Sequence, residues 1–344
     1  MKIGILGDFH FGARSDSEFF LDNQIKFLNY YMENIKQLGI QNVLQLGDVL
    51  DRRKFVNFKT LHTIKTQFFD HHADVYFDII LGNHDTYNKN TSEVNSLNLL
   101  LKEYTNIDVI DTNKTLCFGG YDIAMVSWIN EDNYQQQVEF INNCKSDVIC
   151  GHFEISDFYN ICGFNYENGL KPSSFDRFKL TLSGHYHSPS NNGKIYYLGN
   201  ISQLTWNDFN QTKYGYILDT ETLELEFIAN PFDIFASIEY NDDINLIEYD
   251  FNPYQDKITR VIIPSFETVS KKKLDIFTEM LGNKAKSIDV SELSSSFDVT
   301  ENNTETTDTL ALFESQIDEM TIHNKENVLS YIKLLFDDAS KRVE

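Results

Sequence analysis

The sequence predicts an α/β fold: a two-layered mixed β-sheet sandwich flanked by helices, followed by a small α/β segment and a terminal helical segment. Three observations carry that prediction. Short apolar strands alternate with amphipathic helical stretches over the N-terminal third, the rhythm of a parallel layered sheet. Beyond Thr115 the texture changes to short paired strands. The strands also close, one after another, on polar clusters beside glycine, and in an open α/β sheet the carboxyl ends of strands are where ligands bind.

Taken in order, Ile3 to Leu6 is an apolar strand ending in Gly7-Asp8-Phe9-His10. Leu21, Ile25, Leu28, Met32 and Ile35 then recur at helical spacing, with Gly39 just past the helix end. Val43 to Leu46 is a second strand, closed by Gly47-Asp48-Val49-Leu50-Asp51. Leu61, Ile64 and Phe68 mark another helix, and Val75 to Leu81 a buried third strand that runs into Gly82-Asn83-His84-Asp85. Ser92 is placed to cap a helix carrying Leu97, Leu100 and Leu101.

Leu116 to Phe118 and Ile123 to Val126 read as a hairpin across Gly119-Gly120. Asp147 to Cys150 is a strand ending in Gly151-His152, and Lys179 to Leu182 one ending in Gly184-His185-Tyr186-His187. Lys194 to Leu198, Tyr216 to Leu218 and Leu223 to Leu225 read as antiparallel additions that complete a large domain over residues 1–230. Past Pro231 the pattern restarts. Ile258 to Ile263, Leu274 to Leu281 and Ser287 to Val290 read as strand, helix and strand, enough for a small α/β domain over 231–290. Residues 291–309, rich in Ser, Thr, Asn, Asp and Glu, read as a flexible linker. In 310–344 two short amphipathic stretches, through Leu310, Phe313, Ile317, Met320 and through Val328, Ile332, Leu335, either dock on a partner or fold back on their own chain.

Composition limits the function classes. At 344 residues the chain exceeds the usual size of one hydrophobic core, and 41% hydrophobic content supports a compact globule rather than a disordered chain. No run approaches the roughly 18 apolar residues of a membrane span, and no cleavable leader precedes Lys2-Ile3-Gly4, so a cytoplasmic protein without a membrane partner is expected. Cys117, Cys144, Cys150 and Cys162 show no CxxC spacing and read as reduced packing thiols. A formal charge of −23 opposes nucleic-acid binding unless positive charge is supplied locally. Arg52-Arg53-Lys54, Lys271-Lys272-Lys273 or bound divalent cations are the possible sources, although solvated surface is the simpler reading of either basic cluster.

The strand-end clusters carry the chemistry. They are Asp8 with His10, Asp48 with Asp51, Asn83 with His84 and Asp85, His152, and His185 with His187, and they hold five of the nine histidines. Imidazole with carboxylate and amide oxygen, and no cysteine, suits Mn, Fe or Zn. Alternate side chains of an extended chain face the same way, so Asp8 and His10, like His185 and His187, can grip one ion. Asp48, placed between, would bridge two, and a pair about 3.5–4 Å apart is the clamp of phosphoryl-ester hydrolysis.

The series Asp8-x-His10, GDxxD at 47–51, GNHD at 82–85, Gly151-His152 and Gly184-His185-x-His187 resembles the calcineurin-like metallophosphoesterases. Within them, the opening DFHFG and the aspartate of GNHD resemble the DNA repair nucleases of the meiotic-recombination-eleven and bacterial SbcD type, including their T-even phage counterpart. The resemblance covers about two-thirds of the chain. It implies a first metal on Asp8, His10, Asp48 and His187, and a second on Asp48, Asn83, His152 and His185, usually manganese. It implies that His84 acts on the scissile phosphate as an acid or transition-state stabiliser, with Asp85 orienting its ring. Some members carry a histidine where Asp51 stands. Asp51 is therefore expected to accept a hydrogen bond behind the ligands, with Arg52 beside it.

The implied activity is a two-metal DNA nuclease, exonuclease on duplex and endonuclease on single strands, that partners an SMC-like coiled-coil ATPase and forms a homodimer. The small α/β domain would face DNA and residues 310–344 would bind the ATPase. Small-molecule phosphodiesterase, phosphoprotein phosphatase and a DNA-tethering scaffold with little catalysis are the alternatives.

Overall fold

The computed structural model describes residues 1–156, 158 and 169–293. Cys162, the stretches of 310–344 expected to be helical and the part of the expected linker from residue 294 onward lie outside the described residues. Met1–Glu292 is one compact unit.

Two six-stranded sheets form its centre. The first runs Leu225–Ala229, Tyr214–Asp219, Lys2–Leu6, Asn42–Gln45, Tyr76–Ile80, Ile107–Ile110, with its last four strands mutually parallel. The second runs Ser190–Asn191, Ile195–Tyr197, Leu180–Ser183, Val148–Gly151, Tyr121–Val126, Asn113–Phe118. Side chains alternate between faces along each strand, and the burial follows that alternation. Ile3, Ile5, Leu44 and Ile80 of the first sheet meet Ile123, Met125, Val148 and Leu182 of the second in a core between the layers. Leu6, Val43 and Ile79 face outward onto helices, and Ala124, Val126 and Ile149 do so from the other sheet. With both faces covered, the strands can be nearly all apolar, which is why they read as continuous runs rather than alternating ones.

The helix Glu18–Gln37 covers the first sheet with Leu21, Ile25, Leu28, Met32 and Ile35. It ends where expected: Gly39 takes φ +72°, its N–H bonds Lys36 O and the Ile40 N–H bonds Ile35 O, satisfying carbonyls that the helix leaves open. A second helix, Phe58–Ile64, runs on into a wider turn through Phe69. His72 follows, buried, with Nε2 2.8 Å from Asn29 Oδ1. Burial, then the Lys36 and His71 charges, pushes its pKa down to about 4. The fold therefore favours the neutral ring. Its contribution is complete above the ordinary pKa of 6.5 and is lost as pH falls toward 4. Urea denaturation at pH 7 and pH 5 should show a loss larger in wild type than in His72→Gln by about 1–2 kcal/mol; equal losses in the two proteins would refute the assignment.

A three-stranded parallel sheet, Phe235–Glu239, Ile258–Ile263 and Ser287–Glu292, carries the helix Lys271–Gly282 and has its own core of Ile238, Val261, Ile263, Leu274 and Phe277. A further cluster joins it to the main layers through Ala13, Phe20, Leu204, Ile234 and Phe235.

Several expectations are corrected. Ser92 does not cap a helix: it lies in the strand Thr91–Asn95, and the Asn95 side chain accepts the Asn98 N–H at 2.9 Å to cap Ser96–Leu100. The strand within Lys194–Leu198, Ile195–Tyr197, is parallel to Leu180–Ser183 rather than antiparallel, its antiparallel partner being the two-residue strand Ser190–Asn191. Ser291 and Glu292 belong to the last strand of the small sheet, so the linker cannot begin at 291. The strands Ile107–Ile110 and Phe235–Glu239 and the helix Tyr134–Asn143 add to the elements that the pattern predicts.

Candidate metal centre

The register of the two sheets brings the carboxyl ends of five strands to one edge, and each end delivers its polar cluster there. Asp48 stands at the middle. Its Oδ2 is 3.6 Å from His10 Nε2 and 3.5 Å from His152 Nε2, while Oδ1 accepts the His84 N–H at 2.7 Å. Asp8 Oδ2 lies 3.9 Å from His10 Nε2 and accepts the His185 N–H at 3.1 Å. Asn83 Oδ1 is 3.0 Å from both His152 Nε2 and His185 Nδ1. The His187 ring meets that of His10 edge-on, centroids 4.6 Å apart. All seven expected ligands are thus gathered. Asp8, His10 and His187 form one group whose ligand atoms lie within 4.8 Å of one another, and Asp8, Asp48 and His152 form another.

The donors fit divalent cations on the structure's own terms. Both ring nitrogens of His10 are buried and lack a hydrogen-bond partner, an arrangement that costs free energy, and its unprotonated nitrogen is free to meet a cation. Burial, with neighbouring imidazoles, holds His10 and His187 below the ordinary histidine range and takes His185 to about 3, so these rings are neutral and ready to donate a lone pair. Burial likewise raises Asp8 well above the usual carboxylate range. Asp48 is opposite: burial works against its charge, yet His152, His10 and His84 around it hold it well below that range. His152 answers it, since burial disfavours its charged form but the Asp48 carboxylate pushes it up to about 9.

The backbone is strained where it delivers these groups. His10, Asp48 and His185 take φ of +54°, +53° and +89°, left-handed conformations that cost about 1–3 kcal/mol each in non-glycine residues. The DxH and HxH steps are therefore not extended, as the spacing alone implied; a left-handed residue turns each ring inward. The Phe9 and His10 N–H groups both bond Asp48 O, locking one loop on the other. Gly47, at φ +88°, and Gly82 let these loops pass: a Cβ at Gly82 would lie 2.2 Å from Asp48 N, and one at Gly47 2.6 Å from His152 Nδ1.

Asp85 does not orient His84. Its buried carboxylate accepts the N–H groups of Gly82 at 2.9 Å, Leu50 at 3.1 Å and Val49 at 3.3 Å, tying the two loops together. Burial and the Asp48 charge push it up to about 7. Without it, these buried amides would go unpaired at about 1–3 kcal/mol each. The His84 ring is held instead by the Asp51 carbonyl, 2.5 Å from Nδ1, while Asp51 Oδ1 stands 3.6 Å from His10 Nδ1. His84 also lies close enough to His10 and Asp48 to share a ligand group with them. Arg52 points away, pairing with Asp16 and lying over the Phe55 ring.

Other residues of the site were not singled out in the sequence. Gln24 Nε2 donates to Phe9 O at 2.6 Å, and Gln45 Nε2 to Gly47 O at 2.7 Å, holding two ligand loops from beneath. Trp128 lies 5.3 Å from His185 and 6.0 Å from His152 between ring centroids.

Two layered sheets with a buried nitrogen and oxygen cluster at the strand ends define a metal-dependent phosphoesterase. Comparison with known families agrees, for the calcineurin-like phosphoesterase model matches residues 1–189. The chain belongs to that family and is a hydrolase of phosphoesters. It is similar to exonuclease subunit 1 of Enterobacteria phage T4, 31% identical over 79% of this chain and 84% of that protein. It is also similar to the SbcD component of the SbcCD nuclease of Staphylococcus epidermidis, 24% identical over 65% of this chain and 67% of that protein. Among the described residues no helix is long and apolar enough to cross a membrane.

Proposed function

We propose that the protein is a metal-dependent DNA nuclease, exonucleolytic on duplex and endonucleolytic on single strands, acting as the nuclease component of a recombination and repair complex. The observation that carries the reading is the position of Asp48, within 3.6 Å of both His10 and His152 and so shared between two ligand groups. Asp8, His10, Asp48 and His187 would hold one divalent ion, and Asp48, Asn83, His152 and His185 the other, most simply Mn²⁺. Two such ions activate a water for in-line attack and offset charge on the phosphate. The likeness to a phage exonuclease and to the SbcD component of a bacterial nuclease supports DNA as the substrate.

The same likeness supports an SMC-like coiled-coil ATPase as partner, bound through residues 310–344, with the small sheet facing DNA in the host cytoplasm. A homodimer is supported by an apolar groove lined by Phe55, Tyr87, Val94 and Leu99, of which Phe55 and Leu99 are 63% and 73% exposed. Light scattering on Leu99→Glu would read it, a mass unchanged from wild type counting against this face.

The nuclease reading is tested with purified protein and Mn²⁺ on end-labelled duplex and single-stranded DNA, beside nucleotide esters and a phosphopeptide. Cleavage of DNA above the small esters is expected. Preference for nucleotide ester or phosphopeptide would replace it with a small-molecule phosphodiesterase or a phosphoprotein phosphatase.

A further inference from the structure

Lys213 is the one lysine that is buried among the described residues, with 1% of its side chain exposed. Its Nζ meets Asp208 Oδ1 at 2.5 Å, and Asp208 is buried as well. Removing two charges from water carries a desolvation cost that only good geometry repays, so a buried pair is poor evidence of stability for its own sake. Asp208 is held firmly: its other oxygen accepts the Leu204 and Thr205 N–H groups, both at 2.9 Å. The pair is directed at the metal centre. Lys213 Nζ donates at 2.9 Å to the backbone carbonyl of His187, and the Asn200 N–H donates to the same carbonyl at 3.2 Å.

His187 needs that anchor more than His84, His152 or His185 does. His152 and His84 each have a ring nitrogen against a backbone carbonyl, of Leu46 at 2.7 Å and Asp51 at 2.5 Å. Such contacts fix the ring that carries a ligand atom. The His187 ring has no hydrogen bond among the described residues and lies on a half-buried loop. Its placement against Asp8 and His10 thus depends on its backbone. The backbone is pinned by Lys213.

We propose that Lys213, clamped by Asp208, is a positioning residue that sets affinity for the ion held by Asp8, His10 and His187. The proposal rests on the metal-centre reading. Mn²⁺ titrated into the metal-free full chain and followed by the electron paramagnetic resonance of free Mn²⁺ tests it. Wild type should take up two ions. In Lys213→Met one of the two should weaken roughly ten- to a hundred-fold while the other keeps its affinity. Asp208→Asn, which preserves the size of both side chains, should weaken the same ion and serves if Lys213→Met does not fold by circular dichroism. A folded variant that binds both ions as wild type does, or weakens both equally, overturns the proposal. A wild type that takes up no Mn²⁺ overturns instead the metal-centre reading beneath it.

Discussion

Asp48→Asn is expected to leave a folded protein that no longer holds a pair of divalent ions and cleaves at least on the order of 10³-fold more slowly. The substitution is nearly isosteric. An amide oxygen can still accept the His84 N–H that Asp48 Oδ1 now accepts at 2.7 Å, so the loop between Gly82 and Asp85 keeps its anchor. What disappears is the charge shared by His10 at 3.6 Å and His152 at 3.5 Å. Of the two proposed ligand sets, Asp8, His10, Asp48, His187 and Asp48, Asn83, His152, His185, only Asp48 belongs to both, so its loss should weaken both ions. His152→Ala gives the contrast, since it should lower occupancy of one ion only. Mn²⁺ stoichiometry measured by equilibrium dialysis alongside DNA cleavage decides the matter. Two ions still bound to Asp48→Asn with wild-type affinity would rule out the bridging role.

The cluster proposed to hold metal was legible because each of its residues sits in a short run next to the strand that presents it. Asp8, His10, Asp48, Asn83, His152, His185 and His187 all follow apolar runs whose carboxyl ends a parallel sheet must align. What holds them was not legible, because it depends on how loops distant in sequence cross. Asp85 looks like a partner of the adjacent His84, but the loop from Gly47 to Leu50 passes over it and presents backbone N–H groups that claim its carboxylate. Gln24 lies in an otherwise apolar helical stripe and Gln45 inside a buried strand; a polar residue in either place was the available signal. Strand direction was hidden for a related reason. Nothing within Ile195–Tyr197 separates a parallel from an antiparallel neighbour, since the connection before it decides. Asn95 and Ser92 are equally good caps by residue type, and the choice fell to the hairpin of Thr86–Asn88 with Thr91–Asn95, too polar to announce itself as strand.

His84→Ala should separate binding from cleavage: both ions retained, DNA cleavage down about 10²–10³-fold. Two roles are open to this ring, and the geometry makes them distinguishable. Nδ1 faces the Asp51 carbonyl at 2.5 Å, which assigns the proton to Nδ1 and leaves Nε2 as the atom free to act. As a ligand, Nε2 would donate its lone pair alongside His10 and Asp48, and removing the ring would then lower Mn²⁺ occupancy. As an acid, Nε2 carries a proton to the leaving oxygen, and occupancy is unaffected. Asp48 is already engaged by His10 and His152, and by the His84 N–H rather than the His84 ring, which favours the second role. An oligonucleotide with sulfur in place of the leaving oxygen provides the decisive comparison, because a thiolate leaves without protonation. Wild type and His84→Ala should cleave that substrate at similar rates while differing by the full factor on the natural ester. If the variant remains as impaired on the sulfur substrate while keeping both ions, His84 stabilises the phosphoryl oxygens in the transition state and is not the acid.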